Sequence, residues 1–267
     1  MSSVRPCAVA GAFYPADPGA LCDEVDHLLE EVPHGGKHDL PRALIAPHAG
    51  YAYSGPVAAS AFGCLARATG RRLTRVVVIG PSHYVVFRGI AVPRHVGAFR
   101  TPLAEVPVDR EALTALAGLP GVVLADEPHR REHAIEVELL FLQRALGDEG
   151  LALVPLVVGD ARDEEVAAVL EPFADDPATL IVVSSDLSHF LPHEAAQRRD
   201  RATALAIERL EGGKLGPDDA CGYLPIRGWL AAARWRELKV KRLDLRNSGD
   251  TAGDRHSVVG YGAWAFT

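Results

Sequence analysis

The chain has 267 residues, 48% of them hydrophobic and 24% charged, which is material for a large buried core. A formal charge of −7 with no Lys/Arg cluster argues against a nucleic-acid partner, and no apolar run is long enough to span a bilayer. The segment Met1–Pro6 lacks the apolar region of a signal peptide, and Cys7, Cys22, Cys64 and Cys221, with no C-x-x-C pair, read as free thiols of a cytoplasmic protein, none an obvious metal ligand.

The spacing predicts a first helix opened by Asp17 as N-cap and Pro18 at the first helical position, with Leu21, Val25, Leu28, Leu29 and Val32 as its buried stripe. A polar loop with two histidines follows at His34–His38. Ala43–Ala46 reads as a buried strand ending in Pro47-His48, and Gly50–Pro56 as a turn into a helix reaching about Arg67. A second buried strand, Val76–Ile79, ends in Gly80-Pro81-Ser82-His83. Ile90–Val92 and Phe99–Leu103 have the alternation and prolines of edge hairpins. Asp109 is placed to cap a short helix, and a longer one runs from near Arg131 to Leu146, with Ile135, Leu139, Leu142 and Leu146 at core spacing. Leu151–Val158 is a strand, Glu164–Phe173 a helix, and Leu180–Val183 a strand that leads through Ser184–Ser188 to His189. Helices near Glu194–Leu210 and Ile226–Leu238 precede two closing strands, Lys239–Arg246 and Ser257–Phe266. This alternation predicts one domain over residues 1–267, a three-layer α/β/α sandwich with a mixed, mainly parallel central sheet.

Three of these apolar runs end in a histidine, and ligands of open α/β sheets sit outside the carboxyl ends of the strands. Two imidazoles with an oxygen donor make a facial set suited to Fe(II) or Zn, which nominates His48 and His83 as metal ligands. Taken singly, either is equally a histidine hydrogen-bonded to a loop carbonyl. Asp186 and His189 stand three apart, so a carboxylate beside an imidazole is available for a general base or a ligand; Asp186 also suits a turn cap. His133 and Glu136, at i and i+3, share one side of a helix start and can line the crevice, although Glu132 and Glu136 are also what the helix dipole favours there. His129 and His193 read as exposed loop residues, and His27 as lying on the polar flank of the first helix. There is no G-x-S-x-G, P-loop, G-x-G-x-x-G or H-E-x-x-H, so serine hydrolysis, nucleotide binding and zincin proteolysis fall away.

The segments Arg5-Pro6, Ala10–Pro15, Pro47–Tyr51, Gly80–His83, Glu132–Glu136, Ser184–His189 and Asn247–Asp250 together resemble the Memo family over almost the whole chain. The resemblance implies a fold similar to class III extradiol dioxygenases, the non-haem iron enzymes that open catechol rings. It implies His48 and His83 as iron-binding histidines, His189 as the acid/base histidine and His133 beside the substrate pocket. The expected cofactor is Fe(II), or another divalent transition metal such as Cu or Zn, and the expected activity a metal-dependent oxidoreductase on a small phenolic or related molecule. The dioxygenases supply a glutamate as third ligand and animal Memo proteins a cysteine; alignment of the last loop puts Thr251 there. A neutral hydroxyl is a poor ligand, so the adjacent Asp250 is the candidate third donor. The resemblance also implies an alternative: a non-enzymatic module that binds a peptide or protein in the same crevice, with Tyr14, Tyr51, Tyr53 and Phe190 around the mouth. Microbial relatives suggest a third role, in a multi-protein modification system with a radical enzyme.

Overall fold

The computed structural model describes residues 3–33, 38–66, 68–69, 72–147 and 151–267. Four strands without polar alternation, Ala43–Ala46, Thr179–Ser184, Arg75–Pro81 and Ala152–Val158, lie side by side in that order and run parallel. They are apolar along both faces because both faces are covered by helices. Pro18–Glu30, Tyr51–Ala66 and His133–Leu146 pack together on one face; Asp163–Ala174, His193–Glu208 and Tyr223–Trp235 cover the other. Val76, Val77, Val78 and Ile79 are essentially inaccessible. Their burial contributes roughly 6–12 kcal/mol before the entropy of ordering them is set against it.

The flanks of the sheet are antiparallel. Val258–Phe266 pairs with Ala43–Ala46, with Val240–Asn247 and with the short His189–Leu191 strand, and Ile90–Val92 pairs with Ala152–Val158. The expected mixed α/β/α sandwich is therefore what the chain adopts. One expected edge hairpin is not part of this sheet: Val96–Arg100 and Glu105–Pro107 join Ser3–Arg5 in a separate three-stranded sheet.

Local chemistry sets the element ends. Asp17 accepts the Ala20 N–H at 2.9 Å to open Pro18–Glu30, and Asp109 accepts the Ala112 N–H at 2.9 Å to open Arg110–Leu116. The turn expected over Gly50–Pro56 is shorter, because the Tyr51 N–H is satisfied by the Phe13 carbonyl at 2.8 Å and the helix starts there. Pro56 is thus inside the helix, in its second turn, where it leaves the Ala52 carbonyl without its ladder donor. Most of the loop expected at His34–His38, and Arg67, lie outside the described residues. Among the described residues no helix is long and apolar enough to cross a membrane.

His129 corrects an expectation. It is fully buried, its Nε2 donates to the Ala91 carbonyl at 3.1 Å, and its own carbonyl accepts from Arg5 Nε at 3.0 Å. Burial pushes its pKa down to about 4. Between about pH 6.5 and 4 the unfolded chain then takes up a proton at this residue that the folded chain refuses, so stability falls as the pH drops through that window. Urea unfolding at a series of pH values should show this fall, and His129→Gln should make it shallower; an unchanged slope would remove His129 from the account.

Candidate metal centre at the strand ends

Because the central strands share a direction, their carboxyl ends open on one crevice. Ala46 lies opposite Ser184 and Ile79 opposite Val183, so His48 and His83 leave strands on either side of Thr179–Ser184 and meet over its end. Their ring centroids are 5.1 Å apart. His133, at the start of His133–Leu146, completes the group: it stacks on His83 at 4.5 Å and lies 5.3 Å from His48. Phe13 packs against the His133 ring at 5.0 Å, and the Tyr84 hydroxyl is 3.2 Å from His133 Nδ1.

The residue that sequence reasoning missed is Cys221. Its Sγ is 3.4 Å from His48 Nε2, and donor atoms of His48, His83 and Cys221 all fall within 4.8 Å of one another. The thiol belongs to the loop before Tyr223–Trp235, which is fastened to the segment after Thr179–Ser184. The Asp186 N–H donates to Sγ at 3.3 Å, the Cys221 N–H to the Asp186 carbonyl at 3.3 Å, and the Gly222 N–H to Ser185 Oγ at 2.9 Å. Gly222 permits this approach: a Cβ there would sit 2.7 Å from Ser185 Cβ and 2.9 Å from the Ser184 carbonyl oxygen. Burial, with Asp186 nearby, pushes the thiol pKa up to about 12, so an arriving metal ion must displace its proton.

Each imidazole is oriented by its other nitrogen. His83 Nδ1 is 2.7 Å from Glu132 Oε1, and its backbone N–H donates to Oε2 at 2.7 Å. Glu132 is the buried N-cap of His133–Leu146, also accepting the Ala134 N–H at 3.0 Å. Burial acts to raise this carboxyl, but the bonds from His83 and Ala134 hold it below the usual range, so it accepts from Nδ1 and leaves Nε2 as the free donor atom. His48 Nδ1 is 2.7 Å from Ser184 Oγ, and its backbone N–H donates to Asp186 Oδ1 at 2.9 Å. Burial, reinforced by the neighbouring His83, His133 and His189, holds His48 well below the ordinary imidazole pKa, which keeps it a neutral donor.

Asp186 stands elsewhere than expected. The register that sets Ala46 against Ser184 brings the His48 backbone over Asp186, which pairs with it and not with His189; burial pushes this carboxyl up to about 7. His189 Nδ1 instead donates to the Leu187 carbonyl at 2.8 Å, leaving Nε2 as its basic nitrogen, and burial lowers its pKa. With His83 and Cys221, His189 lines a cleft of about 790 Å³ whose walls include Leu191, Arg198 and Arg199.

Asp250 and Thr251 do not join the cluster. Asp250 pairs with His193 Nε2 at 2.6 Å and accepts the Asn247 N–H at 3.1 Å, and Thr251 Oγ1 donates to the Ser248 carbonyl at 3.2 Å, so both serve the Ser248–Asp250 turn. His193 is accordingly half-buried, not exposed. Among the described residues, the other potential donor group is His83, Glu132 and His133. Glu136 faces away from the crevice into a buried knot with Arg5, the Tyr14 hydroxyl and the Ala8 and Val9 N–H groups. Of the four aromatics expected at the mouth, Tyr14 and Tyr51 are core residues and only Tyr53 and Phe190 are exposed.

The chain is similar to known proteins along its whole length. The chain is 36% identical to a MEMO1 family protein of Methanopyrus kandleri and 34% identical to one of Methanocaldococcus jannaschii, covering 98% of both chains in each case. The crystal structure of an uncharacterized protein from Escherichia coli K12 superposes with a TM-score of 0.52 at 18% identity, covering 84% of this chain and 98% of that one, a likeness of fold alone. The model of Memo-like proteins matches residues 5–265, and the chain belongs to that family.

Proposed function

We propose that this chain holds one divalent transition-metal ion on His48, His83 and Cys221 and acts as a metal-dependent oxidoreductase on a small phenolic or related molecule. The observation that carries the reading is the meeting of three donor atoms within 4.8 Å beside an open cleft. Two neutral imidazoles and a thiolate suit Fe(II), Cu or Zn and are wrong for Mg or Ca, and a buried thiolate donor suits a reducing cytoplasm. An ion held by these three residues would supply Lewis-acid or redox chemistry beside the cleft. His189, neutral through burial and with Nδ1 committed to Leu187, is placed to take a phenolic proton on Nε2. His133, which burial pushes down to about 4, offers the same ligand a neutral hydrogen-bonding edge. A cleft of about 790 Å³ is sized for a small molecule, and its wall is polar but charge-balanced, with Asp218 beside Arg198 and Arg199 and both arginines paired to carboxylates.

Anaerobic loading with Fe(II), Cu and Zn in turn, followed by elemental analysis, should give one ion per chain for at least one metal. Substoichiometric uptake of all three would end the reading. In the loaded protein, His189→Ala should leave metal content intact while reducing oxygen consumption with a panel of phenols by about 10²–10⁴-fold, the usual worth of a positioned acid/base.

A further inference from the structure

Ser184 Oγ has three partners at the same distance: the Ala134 carbonyl oxygen at 2.7 Å, Glu138 Oε1 at 2.7 Å and His48 Nδ1 at 2.7 Å. A hydroxyl has one hydrogen and two lone pairs. The Ala134 carbonyl can only accept, so it takes that hydrogen. The remaining two partners must then donate into the lone pairs. We infer that Glu138 and Ser184 form a tautomer lock on His48: Glu138 carries a proton and donates it to Ser184, and Ser184 can only accept from His48, which is fixed with hydrogen on Nδ1 and a lone pair on Nε2.

The surroundings of Glu138 fit this count. Its side chain is fully buried, and Oε2 has no hydrogen-bond partner among the described residues. An ionised carboxylate there would keep a charge with one neutral contact, a far costlier arrangement than the neutral acid. Burial, opposed by the Ser184 contact and reinforced by Asp186, also holds its pKa well above the carboxylate range. The lock matters because Nε2 is the nitrogen 3.4 Å from Cys221. Free imidazole side chains in water prefer the opposite tautomer, with hydrogen on Nε2. Without the lock, a metal ion would have to drive His48 from that form before binding. The inference concerns the apo chain; only its consequence for affinity rests on the proposed metal centre.

Long-range 1H–15N correlation spectra of metal-free, 15N-histidine-labelled protein read the tautomer directly, with His48 assigned by its loss in His48→Gln. The expected result is hydrogen on Nδ1 in the wild type and in Glu138→Gln, whose amide can donate to Ser184, and a shift toward hydrogen on Nε2 in Ser184→Ala. Infrared difference spectra at pH 8 should show a protonated carboxylic-acid carbonyl band in the wild type that disappears in Glu138→Gln. Hydrogen on Nε2 in the wild type, an unchanged tautomer in Ser184→Ala, or no acid band lost in Glu138→Gln would overturn the lock. If Ser184→Ala does not fold, the wild type and Glu138→Gln decide it. Co(II) titration followed by visible absorption should weaken ten- to hundredfold in Ser184→Ala and by less than about threefold in Glu138→Gln, the scale of partners that orient a ligand. If the wild type takes up neither Co(II) nor any of Fe(II), Cu and Zn, the metal reading fails while the spectra still decide the lock.

Discussion

Cys221→Ser is expected to lower transition-metal affinity by more than about a hundredfold, beyond the ten- to hundredfold that groups behind a ligand contribute. The substitution is nearly isosteric, yet a serine hydroxyl stays neutral near pH 7 and is a poor donor, whereas a cysteine bound to a metal gives up its proton. The change should leave the fold intact, since the Gly222 N–H to Ser185 Oγ and Cys221 N–H to Asp186 carbonyl bonds do not use the sulfur, and a serine hydroxyl can accept from the Asp186 N–H in its place. Competition against a chelator measures the affinity, and the thiolate-to-metal absorption of the Cu(II) or Co(II) form should vanish with it. Thr251→Ala and Asp250→Asn should leave both readouts where they were, because these residues are spent on the Ser248–Asp250 turn and on His193. Retention of wild-type affinity in Cys221→Ser would move the centre toward His83, Glu132 and His133.

The strand-end histidines were legible for a physical reason. A strand buried on both faces leaves an unbroken apolar run, and a residue delivered beyond its carboxyl end follows the run within a few positions, as His48, His83 and His189 do. Asp17 and Asp109 were readable in the same way, since a cap is a local interaction within three residues. Cys221 offered neither signal. It stands in a loop before a helix, without histidine or cysteine neighbours, and reaches the site only because that loop packs back on the Ser184–Asp186 segment. The one trace in the sequence is the glycine that follows it, whose necessity shows only when Ser185 is seen against it. Partner choice was likewise invisible where it depended on register: Asp186 looked like the companion of His189 by spacing, and strand alignment gave it to the His48 backbone. Glu132 looked like a residue favoured by the helix dipole, and it does cap the helix. The same carboxylate also holds His83, which a one-dimensional spacing of 49 residues cannot suggest.

Glu136→Ala should be the most destabilising single change among the site-bearing segments, costing about 3–5 kcal/mol, because it leaves a buried arginine without its counter-ion. Arg5 and Glu136 are 2% and 0% exposed, and the other contacts of the Arg5 guanidinium, with the His129 and Glu132 carbonyls and the Phe99 ring, carry no counter-charge. The same carboxylate also gathers the Ala8 and Val9 N–H groups and the Tyr14 hydroxyl, so its loss strands several donors at once. In thermal unfolding the melting temperature should drop by roughly 10 °C. Glu136→Gln should fall less, because an amide oxygen still accepts from the backbone while the arginine charge goes unmatched. Arg5→Met combined with Glu136→Leu should recover part of the loss, which separates a charge-pair effect from simple loss of packing. The damage should also reach the crevice. Glu136 tethers the segment that carries Phe13, and Phe13 both packs on His133 and accepts the N–H that starts Tyr51–Ala66. A Glu136→Ala protein that melts early but binds metal at 20 °C with wild-type affinity would show that the knot secures the amino-terminal segment alone; a parallel loss of affinity would show that this segment holds the imidazole cluster in place.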